Sequence, residues 1–249
     1  MAVLAVFNPK GGVGKTTTAV NMGYHAARAG YQTLLWDLDP QGASTFYLRV
    51  KPKVKGGAQR LLTQAGSWER SVKESDVPHL DLLPADWSYR HLDLDLSALK
   101  RPEKRLAKAL KPATKAYDVL ILDCPATFSL LSDSIVRAAD ALLVPLIPTP
   151  LSLRTWTQMK HYLKEHARTR TQVLPFLTMI DRRKRIHREV VDTYAGGQEG
   201  FLTTTIPYAS TIERMGVERA PLGTYDRRSR AATAYRALWQ EVAARLFSE

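Results

Sequence analysis

The sequence predicts a doubly wound α/β fold, in which a mostly parallel β-sheet is flanked by helices on both faces. Short apolar runs of strand length alternate along the chain with longer segments of helical periodicity. Most of the short runs are continuously apolar, as is typical of strands buried on both faces of a parallel sheet. The 249 residues show no internal repeat, so we expect a single domain over residues 1–249.

The predicted strands are rich in Val, Ile and Leu, and helical segments connect them as right-handed crossovers. We expect strands, in chain order, at residues 3–7, 32–36, 80–83, 119–122, 141–146 and 173–180. Apolar residues at helical spacing predict helices at about residues 15–29, 57–65, 102–110, 130–138, 151–166, 184–194 and 230–247. Residues 50–57 and 194–200 contain Gly or Pro among polar residues and are expected to be loops.

Composition excludes several classes of protein. The single cysteine, Cys124, excludes a disulfide framework and any zinc or iron–sulfur CxxC site supplied by this chain alone, which favours a reducing cytosol. Residues 141–147 are too few to span a membrane, which takes ~20, and residues 1–7 lack the basic region of a signal peptide. The formal net charge of +12 suggests a polyanionic partner.

The first predicted strand leads into the first predicted helix through a glycine-rich loop, Lys10-Gly11-Gly12-Val13-Gly14-Lys15-Thr16-Thr17. Glycines let backbone amides approach phosphate groups, and the positive end of the following helix faces the same anion. Lys15 would neutralise β- and γ-phosphate charge, the Thr16 hydroxyl would bind Mg²⁺, and Thr17 would bond a phosphate. These features predict a P-loop NTPase.

Two acidic motifs follow strands of the predicted sheet. After the second strand comes Asp37-Leu38-Asp39-Pro40-Gln41-Gly42, in which alternation puts both carboxylates on the same side of an extended segment. A carboxylate beside the P-loop can orient a water molecule or hold Mg²⁺ through water. The strand at 119–122 runs into Asp123, the form of a Walker B motif, and packing explains such a charge poorly. We expect Asp39 and Asp123 near the magnesium ion.

With Lys10 placed five residues before Lys15, the loop resembles the KGGxGKT loop of the ParA/MinD family of deviant Walker ATPases. The resemblance extends over essentially the whole chain. It implies an ATPase that uses ATP and Mg²⁺ and forms an ATP-sandwich homodimer, in which Lys10 reaches the nucleotide bound by the other subunit. It also implies that Asp39 positions the attacking water, with Asp37 in support.

The later segments at residues 176–182 and 206–209 resemble the partition ATPases more than the MinD branch of the family. Family members often recognise adenine through the backbone around a proline, which implies adenine contacts at Pro207 and Ala209. Family members often carry Asn where this chain has Ala209, so we expect the contact there to come from the backbone.

A basic cluster lies directly after the sixth predicted strand: Arg182, Arg183, Lys184, Arg185 and Arg188. On a helix that starts near residue 184, Lys184 and Arg188 share a face, and like charges at this spacing weaken a helix slightly unless an anion meets them. DNA phosphates would supply that anion through a salt-sensitive attraction. Because residues 1–10 leave no room for the helix-turn-helix domain of larger partition ATPases, we expect DNA binding without sequence specificity.

By resemblance, the dimer is cytoplasmic and associated with the nucleoid, and a ParB-like or adaptor protein stimulates hydrolysis so that a cargo is segregated or positioned. The sequence leaves the cargo open: a plasmid, a chromosome, a chemoreceptor cluster or a large protein assembly such as a carboxysome. Stable membrane insertion is not expected.

Three alternatives come from other classes of protein. A MinD-like membrane-surface ATPase would need a C-terminal amphipathic helix with a basic face, whereas residues 231–249 carry only Arg236 and Arg245 and fit a helix docked on its own domain. An electron-transfer relative of the nitrogenase iron protein would need cysteine ligands beyond Cys124. A metabolic ATPase that activates a carboxylate or amide substrate stays open, although no dedicated substrate motif is visible.

Overall fold

A seven-stranded sheet forms the centre of the computed structural model, which describes residues 1–64, 67–194 and 196–247. The strands are β1 (Ala2–Val6), β2 (Thr33–Asp37), β3 (Lys73–Glu74), β4 (Leu80–Leu83), β5 (Val119–Asp123), β6 (Ala141–Leu146) and β7 (Gln172–Leu177). Across the sheet they lie in the order β3-β4-β2-β5-β1-β6-β7. All neighbours are parallel except β3, which is antiparallel to β4. The predicted mostly parallel sheet flanked by helices is confirmed.

The α-helices of the described residues are α1 (Lys15–Arg28), α2 (Ala43–Tyr47), α3 (Gly57–Thr63), α4 (Leu92–Ser97), α5 (Arg105–Leu110), α6 (Leu130–Ala138), α7 (Pro150–His166), α8 (Arg185–Tyr194), α9 (Ser210–Glu213), α10 (Met215–Glu218), α11 (Leu222–Tyr225) and α12 (Arg230–Leu246). Turns of 3₁₀-helix lie at Ser67–Arg70, Trp87–His91, Pro102–Lys104, Lys111–Lys115 and Gln198–Gly200. The predicted helix end at Ala65, and Ala195 in the predicted loop, lie outside the described residues.

Both faces of the sheet carry an apolar layer. Along β1, Val3 and Ala5 enter one layer, whereas Leu4 and Val6 enter the other, as the alternation of side chains in a strand requires. Residues of α3 to α8 cover the first layer, and α1 and α12 cover the second. Helix α1 therefore begins at the loop after β1 and runs back beneath the sheet.

The sixth predicted strand, at residues 173–180, ends earlier than expected, at Leu177. The Thr178 amide still donates to the Leu146 carbonyl of β6 at 2.9 Å. Met179 then adopts a left-handed backbone with φ 55°, which turns the chain out of the sheet. Ile180 pairs instead with Pro207 in an isolated parallel bridge. This turn joins the two later segments at the carboxyl edge of the sheet.

Candidate functional site

The glycine-rich loop lies at the carboxyl end of β1, in the middle of the sheet. Gly12 and Gly14 have φ of 73° and 83°, a left-handed conformation that side-chain-bearing residues rarely adopt. Asn8 holds the loop, because its Nδ2 donates to the Pro145 carbonyl at 2.8 Å and its Oδ1 accepts from the Lys10 amide at 2.9 Å. Asn8 has no place in the sequence motif, and only the structure shows its role.

Lys15 is the first residue of α1, and its ammonium lies inside the loop. Its Nζ donates to the Lys10 carbonyl at 3.1 Å, and the residue is almost fully buried. Burial lowers the pKa of Lys15, while the nearby carboxylates of Asp123 and Asp39 act to raise it. The loop therefore combines a helix N-terminus, unusual backbone angles and a buried cation, an arrangement that binds phosphate groups.

Two buried carboxylates face each other beside the loop. Asp37 of β2 and Asp123 of β5 are register neighbours on adjacent strands, and both are completely buried. Burial raises the pKa of both carboxyl groups, and the charge of Asp37 raises that of Asp123 further. Such a pair is costly in the absence of a cation.

Two residues in the first turn of α2, Ser44 and Thr45, hold these carboxylates in place, and the sequence did not reveal them. The Ser44 hydroxyl donates to Asp123 Oδ2 at 2.7 Å. The Thr45 amide and hydroxyl donate to Asp37 Oδ2 at 2.8 and 2.7 Å. A run of Ser and Thr just after the acidic turn was the only signal in the sequence that pointed to them.

The donor set fits a magnesium ion. The second oxygens of Asp37 and Asp123 are buried and have no hydrogen-bond partner within the described ranges, and the nearby Thr16 hydroxyl acts to lower the pKa of Asp123 against the effect of burial. Mg²⁺ prefers hard oxygen ligands and keeps several waters, so a few carboxylates beside a phosphate site suffice for it. Asp39 follows two residues after β2, and its Oδ1 accepts from the Gln41 amide at 2.9 Å.

The segment expected to contact adenine lies against the glycine-rich loop. The Ile180 amide donates to the Ile206 carbonyl at 3.0 Å, and the Tyr208 amide donates to the Ile180 carbonyl at 2.9 Å. A Cβ atom on Gly14 would lie 3.4 Å from Cε of Met179, so the turn at residue 179 touches the loop. A cavity of about 420 Å³ opens beside this bridge, lined by Ile180, Asp181, Arg182, Arg183, Thr205, Pro207, Tyr208, Arg230 and Ala234.

The basic cluster at residues 182–188 is partly neutralised within the chain. Arg183 forms a two-pronged ion pair with Asp181, with both N–O distances 2.9 Å, and Arg183 holds the pKa of Asp181 well below its usual range. Arg185 pairs with Glu189 at 2.7 Å. Helix α8 begins at Arg185, so Lys184 precedes the helix, and Arg188 folds back to donate to the Arg182 carbonyl at 2.7 Å. Lys184 and Arg188 are both exposed, and the Arg188 amide donates to the Lys184 carbonyl at 3.3 Å, so the two residues are one helical turn apart as expected.

A second basic surface lies at residues 100–115, where seven cations accompany one carboxylate. Along 102–115, two 3₁₀ turns flank α5, and the buried side consists of Leu106, Ala109, Leu110 and Ala113. The exposed side carries Lys104, Lys108, Lys111 and Lys115, here called the basic ridge. No described residue forms an ion pair with any of these four. The charge density was visible in the sequence, but its arrangement on one side was not.

Comparisons with known proteins agree with this geometry. The family model AAA_31, an AAA domain, matches residues 1–175. The sporulation initiation inhibitor protein Soj of Bacillus subtilis (strain 168) is 31% identical, over 97% of this chain and 98% of that protein. The chromosome partitioning protein ParA of Caulobacter vibrioides is 32% identical, over 98% and 95%. The structure of cobyrinic acid a,c-diamide synthase from Mycobacterium smegmatis, with a bound ATP analogue and magnesium, is 28% identical at a TM-score of 0.82, over 98% and 95%.

Proposed function

The chain belongs to the ParA/MinD family of P-loop ATPases and is a ParA-like ATPase that uses ATP and Mg²⁺, and from this premise we propose how it works. With ATP bound, two copies form a sandwich homodimer that binds DNA without sequence preference. A ParB-like or adaptor protein stimulates hydrolysis, and the cycle segregates or positions a cargo on the nucleoid. The cargo is a plasmid, a chromosome or a large protein assembly.

The position of Lys10 is the main observation in support of the proposed dimer. Its backbone is held on both sides, by Asn8 at the amide and by Lys15 at the carbonyl. Its own ammonium has no partner in the part of the chain that the structure describes. A lysine fixed at the mouth of an anion site, with its charge unused, is suited to reach a phosphate presented by a second copy.

Within one copy, the remaining site residues divide the work of hydrolysis. The loop amides, Lys15 and Thr17 bind the phosphates, while Asp123, Thr16 and Asp39 would hold Mg²⁺. When bound, Mg²⁺ supplies positive charge against the phosphate oxygens. Asp39 orients the attacking water, since the Gln41 amide occupies only one of its oxygens. The backbone at Pro207 and Ala209 contacts the adenine beside the cavity described above.

Two basic surfaces support DNA binding, at opposite edges of the sheet. Arg182, Arg183, Lys184, Arg185 and Arg188 follow the edge strand β7, and the basic ridge lies near the other edge. The ridge lysines stand at spacings of four, three and four residues, so their side chains recur about every 5–6 Å on one side of the helical segment. Such a row suits a phosphate backbone, and its attraction depends on salt rather than on base sequence.

The first test is the fluorescence anisotropy of an arbitrary duplex DNA, titrated with protein in the presence of ATP, ADP or no nucleotide. It is repeated at about 50 mM and about 200 mM salt, where phosphate contacts weaken measurably. We expect binding that depends on ATP, falls with salt and does not change with DNA sequence. The absence of binding in every nucleotide state would contradict the proposal.

A MinD-like role at a membrane surface is disfavoured by the last helix. Within residues 230–246, the apolar side of α12 packs on the core through Tyr235, Leu238, Trp239 and Val242, so that side is not available to lipid. Among the helices that the structure describes, none is long and apolar enough to span a membrane. Sedimentation with anionic liposomes is the matching negative control for the DNA titration.

The second candidate is ATP-dependent amidation of a carboxylate substrate. The likeness to cobyrinic acid a,c-diamide synthase, at 28% identity, favours it. In that case ATP hydrolysis would depend on a carboxylate acceptor and a nitrogen donor, and would not respond to DNA. Measuring ATP turnover with and without DNA therefore separates the two candidates.

A further inference from the structure

We propose that this chain has a second anion site, distant from the nucleotide, which binds inorganic phosphate or a small phosphate monoester. The site is a cavity of about 270 Å³ between the end of α1 and the start of α12. It is lined by Tyr24, His25, Arg28, Gly223, Arg227, Ala232 and Arg236, and is here called the arginine pocket. Because α1 has 14 residues, the pocket lies about 20 Å from the glycine-rich loop.

The wall of the pocket is built from close contacts between distant parts of the chain. The Tyr24 hydroxyl donates to the Gly223 carbonyl at 2.9 Å, and a Cβ atom at position 223 would collide with the Tyr24 ring. The Tyr24 ring also meets the His25 ring edge to face, with centroids 5.0 Å apart. The backbone at residue 223 is thus fixed against α1, and the pocket has a rigid floor.

Three solvent-exposed arginines from three segments line this pocket. Arg28 comes from the last turn of α1, Arg227 from the loop before α12, and Arg236 from α12 itself. Arg227 is oriented by its Nε, which donates to the Gly223 carbonyl at 3.1 Å. No carboxylate lines the pocket, and these arginines have no ion-pair partner among residues 1–64, 67–194 and 196–247. Three like charges held together without a counter-charge repel each other until an anion enters.

His25 supplies a further polar atom that lacks a partner. Its Nε2 is buried, and nothing in the described chain bonds to it. Burial, together with the charge of Arg236, lowers the pKa of His25 to about 4, so the ring is neutral at pH 7. The C-terminal end of a helix carries partial negative charge and favours a cation in the last turn, which accounts for Arg28 at the end of α1. It does not account for Arg236, which lies in the middle of α12, or for the unused histidine nitrogen.

The size and donor set of the pocket select the ligand. Pockets for drug-sized molecules measure about 300–1,000 Å³, so this one suits a smaller group. An arginine guanidinium can donate two parallel hydrogen bonds to the oxygens of one phosphate. The four oxygens of a phosphate can accept such hydrogen bonds from several directions at once. A carboxylate has only two oxygens, in one plane, and would leave one or more of the arginines unpaired.

The test follows the ring signals of His25 by NMR in histidine-labelled protein whose nucleotide site is saturated with Mg-ADP. A bound dianion opposes the charges of Arg28, Arg227 and Arg236, the charged groups that face the ring from α1, the preceding loop and α12. We therefore expect inorganic phosphate to raise the pKa of His25 by about one unit or more. Sodium chloride at equal ionic strength should leave it nearly unchanged.

A matched pair of variants locates the effect. Arg236→Gln removes a pocket charge, whereas Arg228→Gln removes an exposed charge that does not line the pocket. We expect the first variant to bind phosphate about tenfold more weakly and the second to bind it as the wild type does. Equal loss in both variants, or the same shift with chloride, overturns the proposal.

Two further titrations of the His25 signals distinguish a phosphate site from other anion contacts. Acetate tests for a general carboxylate site, and an arbitrary DNA duplex tests for a contact with the DNA backbone. A shift of the His25 signals with DNA but not with phosphate would overturn the small-anion site and add the pocket to the DNA surface. This outcome does not depend on the ATPase proposal, because His25 reports the pocket directly.

Discussion

At the scale of single residues, the site depends on two side chains that hold buried carboxylates. Asp37 and Asp123 each accept from a residue of α2, Thr45 and Ser44 respectively, through one oxygen, and the other oxygen of each is buried without a hydrogen-bond partner among the described residues. Hydrogen bonds to charged groups are among the stronger ones, and a buried charge that loses its donor is costly. The two hydroxyls therefore act on both the stability of the fold and the metal position.

Ser44→Ala should destabilise the protein and weaken its use of magnesium. The change removes the donor to Asp123 Oδ2, at an expected cost of about 1–3 kcal/mol in the free energy of unfolding. Urea denaturation measures this cost, and the Mg²⁺ dependence of ATP hydrolysis should shift to higher concentration. Ser97→Ala, at the exposed end of α4, is the control. Unchanged stability and an unchanged magnesium requirement would show that the bond does not matter.

Asp39→Ala should separate nucleotide binding from hydrolysis. If Asp39 orients the attacking water, its loss lowers the hydrolysis rate by about 100-fold or more, while the loop and Lys15 still bind ATP. The variant should then accumulate as an ATP-bound dimer that binds DNA. Lys15→Ala is the contrasting variant, because it removes the buried cation and should lose nucleotide binding. Hydrolysis by the Asp39 variant at the normal rate would refute the assigned role.

At the scale of elements, the pairing of α1 with α12 makes stability depend on pH through His25. In the folded chain the pKa of His25 is lowered to about 4, mainly by burial, whereas an unfolded histidine titrates near 6.5. The unfolded chain therefore binds more protons between these values, and the folded state loses stability as the pH falls through this window. Above about pH 7 the effect vanishes.

His25→Gln should remove this part of the acid sensitivity. Between pH 7 and pH 5.5, the wild type should lose about 1 kcal/mol more of its unfolding free energy than the variant. Thermal or urea denaturation in phosphate-free buffers provides the measurement, since phosphate would occupy the arginine pocket. Parallel pH profiles for the two proteins would mean that His25 keeps an ordinary pKa.

The basic ridge should contribute more to DNA affinity than the cluster at residues 182–188. Replacing Lys104, Lys108, Lys111 and Lys115 with Gln removes about four phosphate contacts, which should reduce the salt slope of binding by about 3 to 4. The control replaces four exposed lysines elsewhere, Lys51, Lys53, Lys55 and Lys164, with the same change in net charge. Equal effects of the two sets would mean that only total charge matters.

Charge reversal at Arg185 and Arg188 tests the cluster separately. Because Arg185 pairs with Glu189 and Arg188 donates to a backbone carbonyl, we expect a smaller loss of affinity than for the ridge. The measurement is the same DNA titration. If affinity does not change at all, these two residues lie outside the DNA surface.

At the scale of the whole molecule, apolar side chains gather at the edge of the sheet that holds the nucleotide site. They follow the carboxyl ends of β2, β4, β5 and β6 or the bridge at residue 207, and are between 45% and 66% exposed: Phe46, Trp87, Phe128, Leu151 and Tyr208. Exposed aromatic and apolar residues of this kind mark interaction surfaces. This edge is therefore the natural interface of the proposed homodimer.

Lys10→Ala should leave nucleotide binding intact and abolish the dimer. The Lys10 carbonyl still accepts from Lys15 in the variant, so the loop keeps its shape, but the charge that we propose reaches the second nucleotide is gone. Size-exclusion chromatography with a non-hydrolysable ATP analogue should show a monomer. Lys51→Ala, which removes an exposed lysine away from the loop, should remain a dimer. A dimeric Lys10 variant would place the role of Lys10 within its own subunit.

The sequence predicted the buried parallel strands well and the irregular parts poorly. Continuous apolar runs mark β2, β5 and β6 to within about one residue, because strands buried on both faces are rich in Val, Ile and Leu. The edge strand Lys73–Glu74 was missed, since an exposed polar pair carries no hydrophobic signal. The end of β7 was missed because the left-handed turn falls at Met179, which is not a residue that favours such a turn.

By itself, the sequence determined the family, the phosphate loop, the acidic strand ends and the use of ATP and magnesium, because those features depend on spacings within a few residues. Only the tertiary structure decided that Ser44 and Thr45 hold the carboxylates, that the cluster at 182–188 is partly ion-paired, and that Arg227 and Arg236 line one pocket with His25. Except for the local ion pairs of the cluster, these contacts join different strands and helices of the fold. They depend on strand order and on how helices pack across the sheet, which a pattern of apolar residues does not encode.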